Sequence, residues 1–365
     1  MDFQDFRKEA GDSWYSWKWQ LQNRFTTISK LIPFIRLSRE EEEGFLSTRN
    51  LFHFGLSPYY FSLIELDNPN CPIRKQVIPS SEELEISDYD KIDPLAEETH
   101  MPVKGVTHRY PDRVIWYVSH MCAVFCRYCT RKRKVGSSEH TPQQKDWENA
   151  LQYFREHREI REVILSGGDP LSLSDSKLRY LLSSLKAIPH LNQVRIHTRY
   201  PVTLPFRITE KLCKVLSEFY PLYIVTHFNH SRECTKEAFE AIKNLNCLAH
   251  AIVLNQSVLL KGVNDTAKDL SDLHYGLIKM GVKPYYLHQC DEIYGTSHFR
   301  VPIEEGIRLM KAIRGNTSGI CQPLYVVDLS GGGGKVPVPL PYLKEKREKS
   351  YLLENFRGEE YEIGL

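Results

Sequence analysis

The stretch Arg113-Val-Ile-Trp-Tyr-Val-Ser-His-Met-Cys122-Ala-Val-Phe-Cys126-Arg-Tyr-Cys129-Thr-Arg131 begins as an apolar run and ends in three cysteines spaced four and then three apart. Branched and aromatic residues at 113–118 suit a β-strand. Thiolates are soft ligands that hold zinc or iron–sulfur clusters, and a structural site commonly closes with four ligands. Three on one loop, without a fourth nearby, leave a coordination position open for chemistry on a bound molecule. The competing explanations are an incomplete zinc knuckle and chance spacing.

This strand opens a series. Further apolar runs lie at 162–165, 193–198, 222–226, 249–254 and 283–289, and a seventh strand-like run is Leu324-Tyr-Val-Val327. Helical patterns separate them near 143–157, 175–187, 208–219, 235–245, 266–281 and 302–314. Strand–helix alternation implies parallel strands with helical crossovers. Six such units fall short of the eight in a closed barrel, so the expected fold is α/β, an open, partial (β/α)6 barrel. A doubly wound sheet is the alternative, but no G-x-G-x-x-G follows the first strand. Chemistry in parallel α/β folds sits beyond the carboxyl ends of the strands. Those positions hold Cys122, Cys126 and Cys129, then Ser166-Gly167-Gly168-Asp169, Thr198-Arg199, His227, Asn229 and His230, Asn255-Gln256, Asp291 and Asp328. They are expected to form one pocket.

Residues 1–105 read as a helical extension, 106–330 as the barrel, and 331–365 as a glycine-rich segment with a short tail. In the extension, Asp12 or Ser13 is placed to cap a helix whose Trp14, Trp17, Leu21, Phe25 and Ile28 form a packing face. Ser38 followed by Glu40 to Glu43 marks the acidic first turn of another helix. The Pro-, Asn- and Asp-rich segment 66–94 reads as loop over the surface.

The 365 residues carry a formal net charge of +2, 41% apolar and 26% charged residues. That balance gives no basic surface for nucleic acid or anionic membrane. No long apolar run and no apolar N-terminal core point to a membrane span or a secretory signal. Nine scattered cysteines fit a reducing cytoplasm and a metal site better than a disulfide framework. Cys71, Cys213, Cys234, Cys247, Cys290 and Cys321 are expected to be packing thiols.

Two glycine motifs remain. Gly167-Gly168 after the second strand lets backbone approach a ligand closely, although a tight turn explains it equally well. Gly331 to Gly334 before Lys335 is no phosphate loop: the G-x4-G-K-[ST] spacing fails, and Pro337 and Pro339 forbid the helix that should follow. A flexible linker is one explanation. Delivery of a Schiff-base lysine into a pocket is the other, with pyridoxal phosphate (PLP) as the electron sink such an amine serves.

The cysteine loop resembles that of the radical S-adenosylmethionine (SAM) enzymes. Together with Gly-Gly-Asp-Pro-Leu171, His108–Arg113, Arg195–Val202, Thr226–His230, Asn255–Leu260, Gly331–Lys335 and Trp17–Gln20, it resembles the lysine 2,3-aminomutase family along nearly the whole chain. That resemblance implies a partial barrel holding a [4Fe-4S] cluster on Cys122, Cys126 and Cys129, with SAM on the open iron. Ser166, Gly167, Gly168, Asp169, His227 and Gln256 would contact SAM. Lys335 would carry PLP, with Arg109, Tyr110 and Arg113 around it. Arg131 would clamp the substrate carboxylate, while Lys132, Arg133 and Lys134 serve structure. Asp291 and Asp328 would embrace the distal ammonium of L-lysine, since paired carboxylates repel an acidic substrate.

The implied reaction interconverts L-α-lysine and β-lysine through a 5′-deoxyadenosyl radical and a PLP-assisted 1,2-amino migration. An external one-electron donor such as flavodoxin or ferredoxin, and self-association into a homo-oligomer, belong to the same implication. The family's inter-subunit zinc site is not expected, because no cysteine follows Cys321 and Thr266 stands at the partner position. Alternatives are arginine or ornithine as substrate, β-lysine supply for elongation factor P, and a zinc-binding interaction protein.

Overall fold

A computed structural model of the chain describes residues 2–137 and 140–364. The extension begins with α1 (Phe3–Ala10), a 3-10 turn at Gly11–Tyr15, α2 (Trp17–Gln22) and, further on, α3 (Arg39–Thr48). The single helix expected from residue 12 is thus broken. Ser16, not Asp12 or Ser13, caps α2 by accepting from the Trp19 N–H. Trp14 is nonetheless buried, packed edge-on to Phe3 and tilted against Trp19. The apolar face survives the break because burial, not helix continuity, drives it. Ser38 and Glu41 form a reciprocal capping box at the start of α3.

The barrel sheet runs in strict chain order through β1 (Val106–Tyr110), β2 (Arg113–Ser119), β3 (Glu162–Gly167), β4 (Gln193–His197), β5 (Leu222–Thr226), β6 (Ile252–Val258), β7 (Lys283–His288), β8 (Leu324–Leu329) and β9 (Gly334–Pro337). Strands β2 to β8 are parallel, and antiparallel β1 and β9 flank them. Six helices supply the crossovers: α4 (Gln144–Glu156), α5 (Asp175–Lys186), α6 (Glu210–Ser217), α7 (Lys236–Cys247), α8 (Ala267–Lys279) and α9 (Ile303–Ile313). Each buries an apolar stripe on the sheet, as Trp147, Leu151 and Phe154 of α4 do. Full burial of such a side chain contributes roughly 1.5–3 kcal/mol.

Three expectations shift. The run at 249–254 becomes strand only from Ile252, because the Ala249 and Ala251 N–H groups close the end of α7 on Asn244 and Leu245 carbonyls. Asn255 and Gln256 therefore lie inside β6, and Asp328 lies inside β8. The glycine run is a turn, not a linker: it joins β8 to β9, and the 330/331 division falls within that hairpin. Cys247 is exposed at the end of α7, while Cys71, Cys213, Cys290 and Cys321 are buried as packing thiols. A separate three-stranded antiparallel sheet, β10 (Leu343–Lys346), β11 (Ser350–Glu354) and β12 (Glu360–Gly364), follows. Among the described residues no helix is long and apolar enough to cross a membrane.

The segment read as surface loop does more than wrap. Glu83 is buried and accepts from Nε and one terminal nitrogen of the Arg127 guanidinium, each at 2.7 Å, with Lys132 Nζ at 3.5 Å. Arg127 lies between two cysteines of the loop, so this pair holds the cysteine loop to the extension. Breaking a buried pair on one side costs about 3–5 kcal/mol. Glu83→Gln, which leaves two cations buried against a neutral amide, is expected to lower stability by about that much in denaturant unfolding. An unchanged midpoint would show that the pair is dispensable.

Candidate active site

The curved sheet encloses a cavity of about 520 Å³, a size that takes a cofactor and a small substrate. Its walls include Arg109, Tyr110, Arg113, Arg131, His227, Gln256, Asp291, Asp328 and Lys335, so nine of the residues picked out in the sequence meet in one space. They come from β1, β2, the cysteine loop, the carboxyl ends of β5 and β7, and β6, β8 and β9. Parallel order with helical crossovers is what brings such distant positions together.

Lys335 owes its place to the β8–β9 hairpin, where it stands directly opposite Asp328. Facing residues on one side of an antiparallel pair lie within side-chain reach. Lys335 Nζ donates to Asp328 Oδ2, and Arg109 donates to Asp328 Oδ1 at 3.2 Å. The Lys335 backbone N–H donates to the Tyr110 hydroxyl at 2.6 Å. Gly334, at φ +89°, makes this possible, since a Cβ there would stand 3.2 Å from that hydroxyl.

Burial opposes ionisation of Asp328, but the adjacent His288 ring and the Lys335 ammonium outweigh it and hold the carboxyl well below the usual carboxylate range. Asp291 behaves in the opposite way. Burial first, and the charge of Asp328 second, push it up to about 7. Its carboxylate has no hydrogen bond or ion pair to any described residue; the bonds it takes part in use its backbone carbonyl. One ionised and one easily protonated carboxyl share the cavity, and an incoming cation relieves the repulsion between them.

A cationic region lines the same cavity. Arg113 packs over the Tyr110 ring at 3.9 Å, and Arg195 of β4 pairs with Glu162 at 2.9 Å. The buried Arg195 Nε has no partner among the described residues. A lysine amine and guanidinium groups with an unused buried donor, in one cavity, fit PLP and its phosphate. Arg195 was quoted in the sequence only within a motif, and its use became visible from this orphaned atom.

Arg131 is held by a residue that the sequence reading missed. Glu97, buried at 4% exposure, receives its Nε at 3.0 Å and one terminal nitrogen at 2.6 Å. The other terminal nitrogen stands 3.5 Å from Ser166 Oγ. Glu97 thus occupies one edge of the guanidinium and leaves the other edge for a second anion. Nothing in local pattern distinguished Glu97 from the acids of a surface loop. Lys132 donates to the Arg127 and Gly295 carbonyls, and Lys134 pairs with Glu98, so these two are structural. Lys132 is buried rather than part of a solvated basic run.

Cys126 lies close enough to Cys122 and to Cys129 to raise the proton affinity of both. Burial comes first and the Cys126 thiol second in pushing Cys129 up to about 11; burial first and Asp169 second move Cys122 in the same direction. Among the described residues no His, Cys, Asp and Glu group converges tightly enough for a single metal ion. A cubane cluster, whose irons present separate corners, asks for three such thiols spread around it. Arg199 donates to Cys126 Sγ at 2.7 Å while pairing with buried Glu233, a hydrogen bond of the kind that tunes a cluster.

The Gly-Gly turn packs against the entry to the cysteine loop. A Cβ on Gly168 would meet His120 and Met121 backbone at 2.6–2.7 Å, and the Gly168 N–H donates to the Ser119 carbonyl at 2.6 Å. Asp169 is used locally. Its carboxylate accepts from the Thr198 hydroxyl and from the N–H groups of Leu171, Arg199 and Tyr200. The one pocket expected from all the strand ends is therefore too broad. Thr198 serves Asp169, Asn229 donates to the Tyr128 hydroxyl, and Asn255 binds the Phe228 backbone, so these brace loops. His227 lines the cavity and stacks on Tyr128 of the cysteine loop. The sequence reading also passed over His288, which touches both Lys335 and Asp328.

Residues 116–273 match the family model described as Radical SAM superfamily, and residues 310–361 the one described as Lysine-2,3-aminomutase. The L-lysine 2,3-aminomutase of Fusobacterium nucleatum is 43% identical over 353 residues, covering 97% of this chain and 83% of that protein. That of Clostridium subterminale is also 43% identical, over 97% of this chain and 85% of its own length. The glutamate 2,3-aminomutase of Clostridioides difficile is 40% identical, over 95% and 82%. Strand order, cysteine loop and near full-length identity converge, and the chain belongs to the lysine 2,3-aminomutase family of radical SAM enzymes.

Proposed function

We propose that the protein interconverts L-α-lysine and β-lysine. Family membership alone does not choose the substrate, because a glutamate enzyme is almost as similar as the lysine enzymes. The observation that carries the reading is the seat of the Lys335 ammonium against Asp328, with the otherwise unpaired Asp291 in the same cavity. That ammonium stands in for the distal ammonium of a lysine substrate. A γ-carboxylate brought to the same place would face two acids.

A [4Fe-4S] cluster with SAM supplies a carbon-centred radical that removes a hydrogen atom, and PLP supplies the electron sink for nitrogen migration. The chain's own residues hold and orient. Cys122, Cys126 and Cys129 ligate the cluster, and the backbone of Ser166, Gly167 and Gly168 with His227 and Gln256 serves SAM. Asp169 acts as a positioning residue that ties the glycine turn to Thr198 and Arg199. Lys335 binds PLP, Arg109, Tyr110, Arg113 and Arg195 orient it, and Arg131, kept flat by Glu97, takes the substrate carboxylate. Asp328 and Asp291 take the distal ammonium. The cluster would need an external one-electron donor such as flavodoxin or ferredoxin, and a reducing compartment, the cytoplasm, suits nine free cysteines.

The test is an anaerobic assay of the protein reconstituted with iron, sulfide, PLP and SAM under a strong reductant. L-Lysine, L-arginine, L-ornithine and L-glutamate are offered separately, and the β-amino product is identified by mass and chromatography. Conversion of lysine in strong preference is expected, with about four iron and four sulfide per chain from the cluster type. Preferential conversion of another amino acid would overturn the assignment of Asp291 and Asp328. One zinc and no sulfide would overturn the radical chemistry.

A further inference from the structure

Lys335 cannot act as a nucleophile while it is an ammonium, and its surroundings contain two groups able to take the proton. Asp328 receives Nζ directly, and His288 Nδ1 stands 3.2 Å from Nζ and 3.4 Å from Asp328 Oδ2. The three atoms form a triangle at the floor of the cavity. The remaining ring nitrogen, His288 Nε2, is buried without a partner among the described residues. With Nδ1 accepting, Nε2 carries the hydrogen and offers the cavity an unused donor.

We propose that His288 is the catalytic acceptor of the Lys335 proton, with Asp328 holding the resulting imidazolium. This rests on the reading of Lys335 as the PLP-binding amine. In the transfer one Nζ–H bond breaks, its electron pair stays on Nζ, and a proton bonds to Nδ1. The positive charge moves about one hydrogen-bond length and stays against the same carboxylate. Transfer to Asp328 instead would erase the ion pair and leave a neutral acid beside Arg109, which favours the ionised form. His288 is neutral at the start because burial and the Lys335 ammonium both lower its proton affinity. The second cause vanishes with the proton that leaves Lys335, so the base strengthens as it is needed. The other titratable groups facing His288 are His197 and His227 from β4 and β5, each driven neutral by burial, and the Tyr286 phenol on its own strand.

Schiff-base formation between the full-length protein and added PLP provides the test, followed by visible absorbance and by mass of the borohydride-reduced adduct at Lys335. His288→Asn places an amide oxygen near the position of Nδ1, keeping a hydrogen-bond acceptor but no base; His288→Gln is the second variant if the first does not fold. General-base catalysis contributes about 10²-fold or more. The wild type is expected to form the adduct at a rate nearly level across neutral pH. The variant is expected to be about 10²-fold slower there, the gap closing as pH rises and Nζ loses its proton to solvent. Equal rates and equal pH profiles, or a slowing by the same factor at every pH, would overturn the proposal. Absence of any adduct at Lys335 in the wild type would instead overturn the PLP assignment on which it rests.

Discussion

Lys335→Ala is expected to abolish turnover of lysine, by about 10³-fold or more, together with the Schiff-base absorbance of added PLP. The loss belongs to the amine and not to the fold. The backbone of residue 335 keeps its place in β9 opposite Asp328, and its N–H still donates to Tyr110. Asp328 also has Arg109 at 3.2 Å and His288 at 3.4 Å, so removing the ammonium does not leave the carboxylate alone. Thermal unfolding of the variant should therefore stay close to that of the wild type while borohydride no longer labels the protein at this position. Substantial activity without an added amine would sink the assignment of Lys335.

Asp291→Asn is expected to weaken kcat/KM for L-lysine by about 10²- to 10⁴-fold, because removing one partner from a buried pair costs about 3–5 kcal/mol. Its preference for lysine over glutamate should shrink in proportion. The pH profile gives the sharper sign. Burial and the neighbouring Asp328 raise Asp291 to about 7 in the ligand-free site. A raised carboxyl is protonated and neutral below that value, so it attracts a substrate ammonium only above it. The profile of kcat/KM reports groups of the free enzyme. Wild-type kcat/KM for lysine should therefore fall as pH drops through about 7 and level off above it. The asparagine variant should lose that limb. A limb that persists in the variant belongs to another group, and unaltered kcat/KM would remove Asp291 from substrate recognition.

The alternation of apolar runs with helical stretches from residue 113 onward was readable because parallel strands and amphipathic helices each impose a local period. All seven parallel strands and six crossover helices stand where that period put them, within a few residues. The deviations came where backbone groups found other partners, as when Ala249 and Ala251 closed α7 instead of opening β6. The cysteine spacing, the Gly-Gly turn and Lys335 behind its glycines were legible for a similar reason: their chemistry is confined to a few consecutive residues.

Pairing across the fold is a different kind of information. Glu83 looked like an acid of a surface loop and Glu97 belonged to no motif, and their burial against Arg127 and Arg131 depends on a segment lying some 34 to 44 residues away in sequence. His288 read as one more residue of a strand until β9 brought Lys335 beside it. Composition and period thus settled the order of elements and the residues capable of chemistry. Which carboxylate meets which cation, and which of the two aspartates carries the charge, followed from burial and distance, which exist only once the sheet has curled around its cavity.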